Sequence, residues 1–149
     1  MHKVHYSVFI NAPKEKVWGA MLEDGTYREW TKAFHEGSYY KGTWEQGSKI
    51  LFLGPNGDGT EGGMVSMIEE NRPYEFISIK HLGIVSNGVE DTTSEAAMKW
   101  APAFENYTFT EKDGGTELTI DLDIDSENED QFNGMWPKAL KALKELAEK

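Results

Sequence analysis

Cysteine is absent from the 149 residues, which removes disulfide scaffolds, thiolate metal sites and thiol nucleophiles from consideration. Bases are scarce as well: 15 Lys and Arg stand against 26 Asp and Glu, for a formal charge of -11. A chain so poor in cations cannot neutralise phosphates, so it takes no nucleic acid as a partner, and an anionic membrane surface repels it. No window approaches the roughly 18 to 20 consecutive apolar residues of a spanning helix, and the opening Met1-His2-Lys3-Val4 lacks the apolar core of a signal peptide. The expectation is a cytoplasmic protein without membrane insertion. What the chain has in quantity is aromatic, with five Trp, six Tyr and seven Phe. A chain of this length buries roughly 70 % of its unfolded surface, so the expectation is one domain over residues 1–149 whose aromatics either fill a core or line a cavity.

The chain opens as a strand, because Val4, Tyr6, Val8 and Ile10 alternate with Lys3, His5 and Ser7. At Asn11-Ala12-Pro13 the period changes. Asn11 can cap a helix, Pro13 suits its first turn, and Val17, Trp18, Met21 and Leu22 form its apolar stripe. Asp24-Gly25 breaks that helix, and Thr26 to Phe34 predicts a second short one with Tyr27, Trp30 and Phe34 on one side. Six further strands are predicted at Ser38–Trp44, Ser48–Leu53, Met64–Glu69, Tyr74–Leu82, Phe104–Glu111 and Thr116–Ile124. Gly83 to Pro102 is too long for a hairpin loop. Thr92-x-x-Glu95 reads there as a capping box that opens a short helix through Trp100, and the segment is expected to act as a lid. From Glu127 to Glu148 the residues Phe132, Trp136, Ala139, Leu143 and Leu146 make the stripe of the longest helix. The fold class is α+β: a seven-stranded antiparallel sheet with one covered face, across which only the last helix is long enough to lie.

Motifs that suggest chemistry fail on context. Gly57-x-Gly59-x-x-Gly62 has the dinucleotide spacing, but a strand rather than a helix follows it, so it reads as a hairpin turn. Asp121-x-Asp123-x-Asp125 begins like a calcium loop, yet Ser126 and Phe132 stand where glycine and a bidentate Glu are required. His2 and His5 point to opposite strand faces, and His35 and His81 have no second ligand at metal spacing. Asn106-Tyr107-Thr108 is a glycosylation sequon by pattern only, with Asn106 expected on the wet face of a strand. No Gly-x-Ser-x-Gly elbow is present. No metal site, no cofactor and no catalytic residue is predicted.

An aromatic constellation remains: Trp30, Phe34, Trp44, Phe52, Trp100, Tyr107, Phe109, Phe132 and Trp136 fall on pieces that surround the space between the sheet and the last helix. Their N–H and O–H groups could direct a ligand. If Tyr107 and Phe109 face inward, alternation carries Glu105 inward too, and Ile77 and Ile79 carry His81. Those two polar side chains, read as solvated or structurally hydrogen-bonded, would otherwise orient a ligand or move a proton.

Ile10-Asn11-Ala12-Pro13 with Val17-Trp18, Asp24 to Trp30, Gly37-Ser38-Tyr39 and Trp44-x-x-Gly47 open a longer pattern. Gly63-Met64-Val65, Arg72-Pro73, Tyr107-Thr108-Phe109, Gly115-Thr116-Glu117-Leu118 and the Trp136 helix continue it. In this order the pieces resemble the START-like, birch-pollen-allergen-like superfamily (SRPBCC), within it the branch named for the activator of heat-shock-protein ATPase. The resemblance implies a helix-grip fold with a deep cavity, and it carries no shared catalytic residue. Three functions follow as expectations: binding of a small apolar or amphipathic molecule, a cyclase or dehydratase-like enzyme using the same cavity, and a chaperone contact that rests on the branch resemblance alone.

Overall fold

Alternation, turn chemistry and one long amphipathic stripe generate nearly all of the architecture. The computed structural model describes residues 2–99, 101–124, 127 and 129–149. Strand β1 (His2–Ile10) leads into helices α1 (Lys14–Leu22) and α2 (Asp24–Trp30), the latter extended by a 3-10 turn over Thr31–Ala33. Strands β2 (Tyr39–Gly42), β3 (Lys49–Pro55), β4 (Glu61–Arg72), β5 (Phe76–Ser86) and β6 (Val89–Asp91) follow, then the one-turn helix α3 (Glu95–Met98). Strands β7 (Ala103–Lys112) and β8 (Gly115–Ile124) precede the long helix α4 (Glu129–Glu148). The sheet is antiparallel throughout, in the order β1-β8-β7-β5-β4-β3-β2, with β6 paired to the end of β5.

Helix α4 is held by its stripe. Trp136, Ala139, Leu140, Leu143 and Ala147 are buried, and they pack with Ile10 of β1, Val17 and Met21 of α1, and the inward residues Leu118, Ile120 and Leu122 of β8. Its main backbone neighbours are β1, α1 and α2. The helix therefore comes closest to the edge strand β1 and the paired short helices, and Trp136 reaches Tyr107 of β7 at 6.3 Å. The opposite half of the sheet bends: the β4–β5 pair slips register between Val65 and Ser66 and again between Ile68 and Glu70, and such bulges kink a strand and increase its twist. At Gly63 φ is +154°, and an added Cβ would lie 1.8 Å from the Phe52 carbonyl oxygen. Only glycine lets β3 and β4 approach that closely.

Three local expectations are corrected. Asn11 does not cap α1. Pro13 holds the cap position with ψ 157°, its carbonyl accepts from Lys16 and Val17 N–H, and the Asn11 N–H instead donates to Glu148 of α4 at 2.8 Å. Asp24 and Gly25 are the first turn of α2 rather than a break, because the extended residue is Glu23. The segment from Gly83 is no free lid. β5 continues to Ser86, turns through Asn87 and Gly88 at φ 51° and 77°, and returns as β6. Helix α3 is capped by Ser94, whose Oγ accepts from Ala97 N–H at 3.2 Å. Thr92 stands two residues too early to do so, and the predicted helical position Trp100 lies outside the described residues.

Leu143 is fully buried where α4 meets the sheet, so Leu143→Ala is expected to lower the unfolding free energy by about 3 kcal/mol. Urea denaturation would show this as a lower midpoint, while Lys141→Ala on the exposed face shifts it by less than about 0.5 kcal/mol.

Candidate functional site

Part of the sheet's middle strands faces a space that the protein does not fill. The resulting pocket has a volume of about 770 Å³. Its inner wall is made by Met21, Tyr27 and Trp30 from the two short helices, by Phe52 and Ile79 from β3 and β5, by Tyr107 from β7 and by Trp136 from α4. Its rim includes Phe34, Gly62, Phe104, Asp123 and Phe132.

Helix α1 ends on carbonyls that no further turn can satisfy, and the aromatic groups supply the donors. Trp30 Nε1 donates to the Met21 carbonyl at 3.1 Å, Trp44 Nε1 to the Leu22 carbonyl at 3.1 Å, and the Tyr40 hydroxyl to that same carbonyl at 2.7 Å. These rings therefore turn their π-faces and edges toward one another. Tyr27 meets Tyr40 at 5.0 Å and 88°, and Trp44 meets Phe52 at 5.7 Å. The expectation that such handles would address a ligand is corrected for Trp30 and Trp44, whose N–H groups are used inside the protein. The Trp136 Nε1 is buried without a hydrogen-bond partner, its ring packed edge-on to Phe34 at 4.8 Å and stacked on Tyr6 at 5.6 Å.

One stretch of wall is polar. The β4–β5 register places Ser66 opposite His81, and the β5–β7 register places Glu105 opposite Ile79 with His81 one step beyond, opposite Ala103. Ser66 Oγ lies 2.7 Å from His81 Nδ1, and His81 Nε2 lies 3.1 Å from Glu105 Oε1. The Tyr107 hydroxyl donates to Glu105 Oε2. The side chains of His81 and Glu105 are 6 % and 19 % exposed, so the pair faces inward and is hydrogen-bonded rather than solvated. Burial, followed by the charge of Glu105, pushes the Tyr107 and Tyr27 hydroxyls well above the ordinary tyrosine range, and both stay protonated. At the rim, burial raises the Asp123 carboxyl, but the Phe104 N–H at 3.0 Å and Lys3 Nζ at 2.9 Å outweigh it and hold the group below its usual value.

The residues singled out by sequence divide cleanly. Trp30, Phe34, Trp44, Phe52, Ile79, His81, Glu105, Tyr107, Phe132 and Trp136 all line the pocket. Ile77 and Phe109 share the same sheet face but do not line it. They lie nearer the end covered by α1, where Ile77 is fully buried and Phe109 packs on Trp18 at 5.2 Å. Trp100 is outside the described residues. Sequence reasoning missed Met21, Tyr27, Met64 and Ile84. Tyr27 shares a helical face with Trp30, a signal that was present; Met64 pairs with Phe52 on one side and Ile84 on the other, which only the register reveals.

The Gly57–Gly62 segment is the β3–β4 turn. Asp121 takes His5 and Asp123 takes Lys3, Asp125 lies outside the described residues, and among the described residues no group of three or more His, Cys, Asp or Glu could hold a metal. Asn106 stands on the sheet face opposite Tyr107, as expected, but is half-buried there with its Oδ1 unpartnered.

An antiparallel sheet gripping a long C-terminal helix, with two short helices after the first strand, defines the helix-grip class of the SRPBCC type. The chain belongs to the family described as Activator of Hsp90 ATPase homolog 1-like protein, whose profile matches residues 11–148. No curated protein matches the sequence. Solved structures similar to it include the Aha1 dimer from Colwellia psychrerythraea (16 % identity, 99 % of this chain and 97 % of that one, TM-score 0.73). Another is protein CV1439 from Chromobacterium violaceum (21 % identity, 100 % and 99 %, TM-score 0.68). A third is DynU16, described as a protein in the dynemicin biosynthetic locus (17 % identity, 99 % and 47 %, TM-score 0.69). At these identities the likeness carries the fold alone. Among the described residues no helix is long and apolar enough to cross a membrane.

Tyr107 binds its proton more tightly folded than unfolded, so its contribution is intact below the unfolded value near pH 10 and is lost as pH rises above it. Between about pH 10 and 11 the unfolding free energy should fall about 1 kcal/mol more in the wild type than in Tyr107→Phe. Urea unfolding at stepped pH reads this difference; equal slopes contradict the burial of the hydroxyl.

Proposed function

We propose that the chain binds one small apolar or amphipathic molecule in the pocket between the sheet and α4. The observation that carries this reading is a space of about 770 Å³ walled by rings from α2, β3, β7 and α4, within the size that drug-sized ligands occupy. Burying a guest there removes its apolar surface from water, and the rigid ring-to-ring contacts lower the entropic cost of forming the wall. The neutral dye Nile red is expected to bind saturably and one to one. Met64→Trp, which puts an indole into the space, is expected to weaken that binding at least tenfold. Non-saturable binding, or binding indifferent to the indole, would overturn the reading.

A second reading has its own observation, the inward His81–Glu105–Tyr107 group. In this reading Glu105 takes a proton from the carbon beside a ligand carbonyl, the carbon–oxygen bond of the β-hydroxyl breaks as the double bond forms, and the leaving hydroxide takes the proton from Glu105 and departs as water, leaving an enone. Incubation with an aryl β-hydroxyketone should then raise enone absorbance with wild type and not with Glu105→Gln; a rate equal to buffer alone removes this reading. A chaperone contact rests on the family name alone.

A further inference from the structure

The charge of the pocket is as one-sided as that of the chain. Among the described residues no Lys or Arg lines it, whereas Glu105 and Asp123 do. Asp123 already has Lys3, and the His35 ring at the rim is taken by the Pro55 carbonyl. Glu105 is different. Its two oxygens offer about four acceptor positions, of which His81 Nε2–H and the Tyr107 hydroxyl use two. With Nε2 donating to Glu105, His81 Nδ1 accepts the Ser66 hydroxyl at 2.7 Å. Both ring nitrogens then have hydrogen-bond partners, and the chain ends on the Glu105 carboxylate.

Around the His81–Glu105–Tyr107 group stand aromatic rings. Tyr107 lies 6.3 Å from Trp136, Phe52 lies 6.0 Å from the His81 ring, and Tyr27 lies 6.2 Å from Phe52. Rings attract a cation through their quadrupole and do nothing for an anion. A carboxylate, sulfonate or phosphate entering here would lose its water and meet the charge of Glu105 with no cation to pair with, the buried Trp136 Nε1–H being a single neutral donor. On the reading that this pocket binds a small molecule, we infer that its occupant is an organic cation: an apolar or aromatic body carrying an ammonium that docks on Glu105.

A matched set of ligands isolates the charge. Naphthylethylammonium, naphthylethanol and naphthylacetate share one ring system and differ in the terminal group, and calorimetry at neutral pH measures all three. The ammonium is expected to bind about tenfold more tightly than the alcohol, and the acetate more weakly than either. Glu105→Gln, close in shape, is expected to bring the ammonium down to the alcohol's affinity and to leave the alcohol unchanged. Glu29→Gln removes the same charge from an exposed face of α2 and is expected to keep the preference, which separates Glu105 from the attraction of the overall charge. An acetate as tight as the ammonium, or a preference that survives Glu105→Gln, overturns the inference and leaves the pocket reading standing. Failure of all three ligands to bind overturns both.

Discussion

The position of α4 sets everything else. A 20-residue helix buries a narrow stripe and needs a matching trough, and β1, α1 and α2 supply one along the edge of the sheet. Side chains of β3, β5 and β7 face rings on α2 and Trp136 on α4 across an unfilled space. The bulges in β4 and β5 and the side-chain-free contact at Gly63 belong to the same solution, since they bend the far half of the sheet around that space.

Within the space, two kinds of polar group meet opposite fates. The N–H groups of Trp30 and Trp44 and the hydroxyl of Tyr40 are consumed by the C-terminal carbonyls of α1, which ties the aromatic wall to the helix that supports it. On the facing wall, Ser66, His81, Glu105 and Tyr107 satisfy one another in a chain that ends on a carboxylate with acceptor capacity left. The wall is thus apolar and anchored on one side and hydrogen-bonding on the other. That division gives a bound molecule an orientation as well as a place.

How much of this the residues announce depends on how local the cause is. The alternation of Leu118, Ile120, Leu122 and Ile124 and the stripe through Trp136, Ala139 and Leu143 are local patterns, and both appear as read. Face parity, if Tyr107 and Phe109 turn inward, takes Glu105 and His81 with them, and both side chains are largely buried on that face. Ile77 and Phe109 are also on that face, but parity does not say how far along a strand a covering helix reaches; Trp18 of α1 closes that end. The cap of α3 is misread for a related reason. Thr92 and Ser94 are both plausible by type, and the β5–β6 turn decides which stands at the first helical N–H. The use of Trp30 and Trp44 N–H groups was not legible at all, since their acceptors lie across a tertiary contact between helix and loop.

The central claim is that a guest enters this pocket and no other surface. Methionine methyl resonances read that directly, because Met21, Met64 and Met135 line the pocket while Met98 on α3 is 65 % exposed elsewhere. On titration of methyl-labelled protein with naphthylethanol, the signals of Met21, Met64 and Met135 are predicted to shift together and saturate while Met98 stays fixed. Movement of Met98 without the other three, or no movement at any of them, would contradict the account.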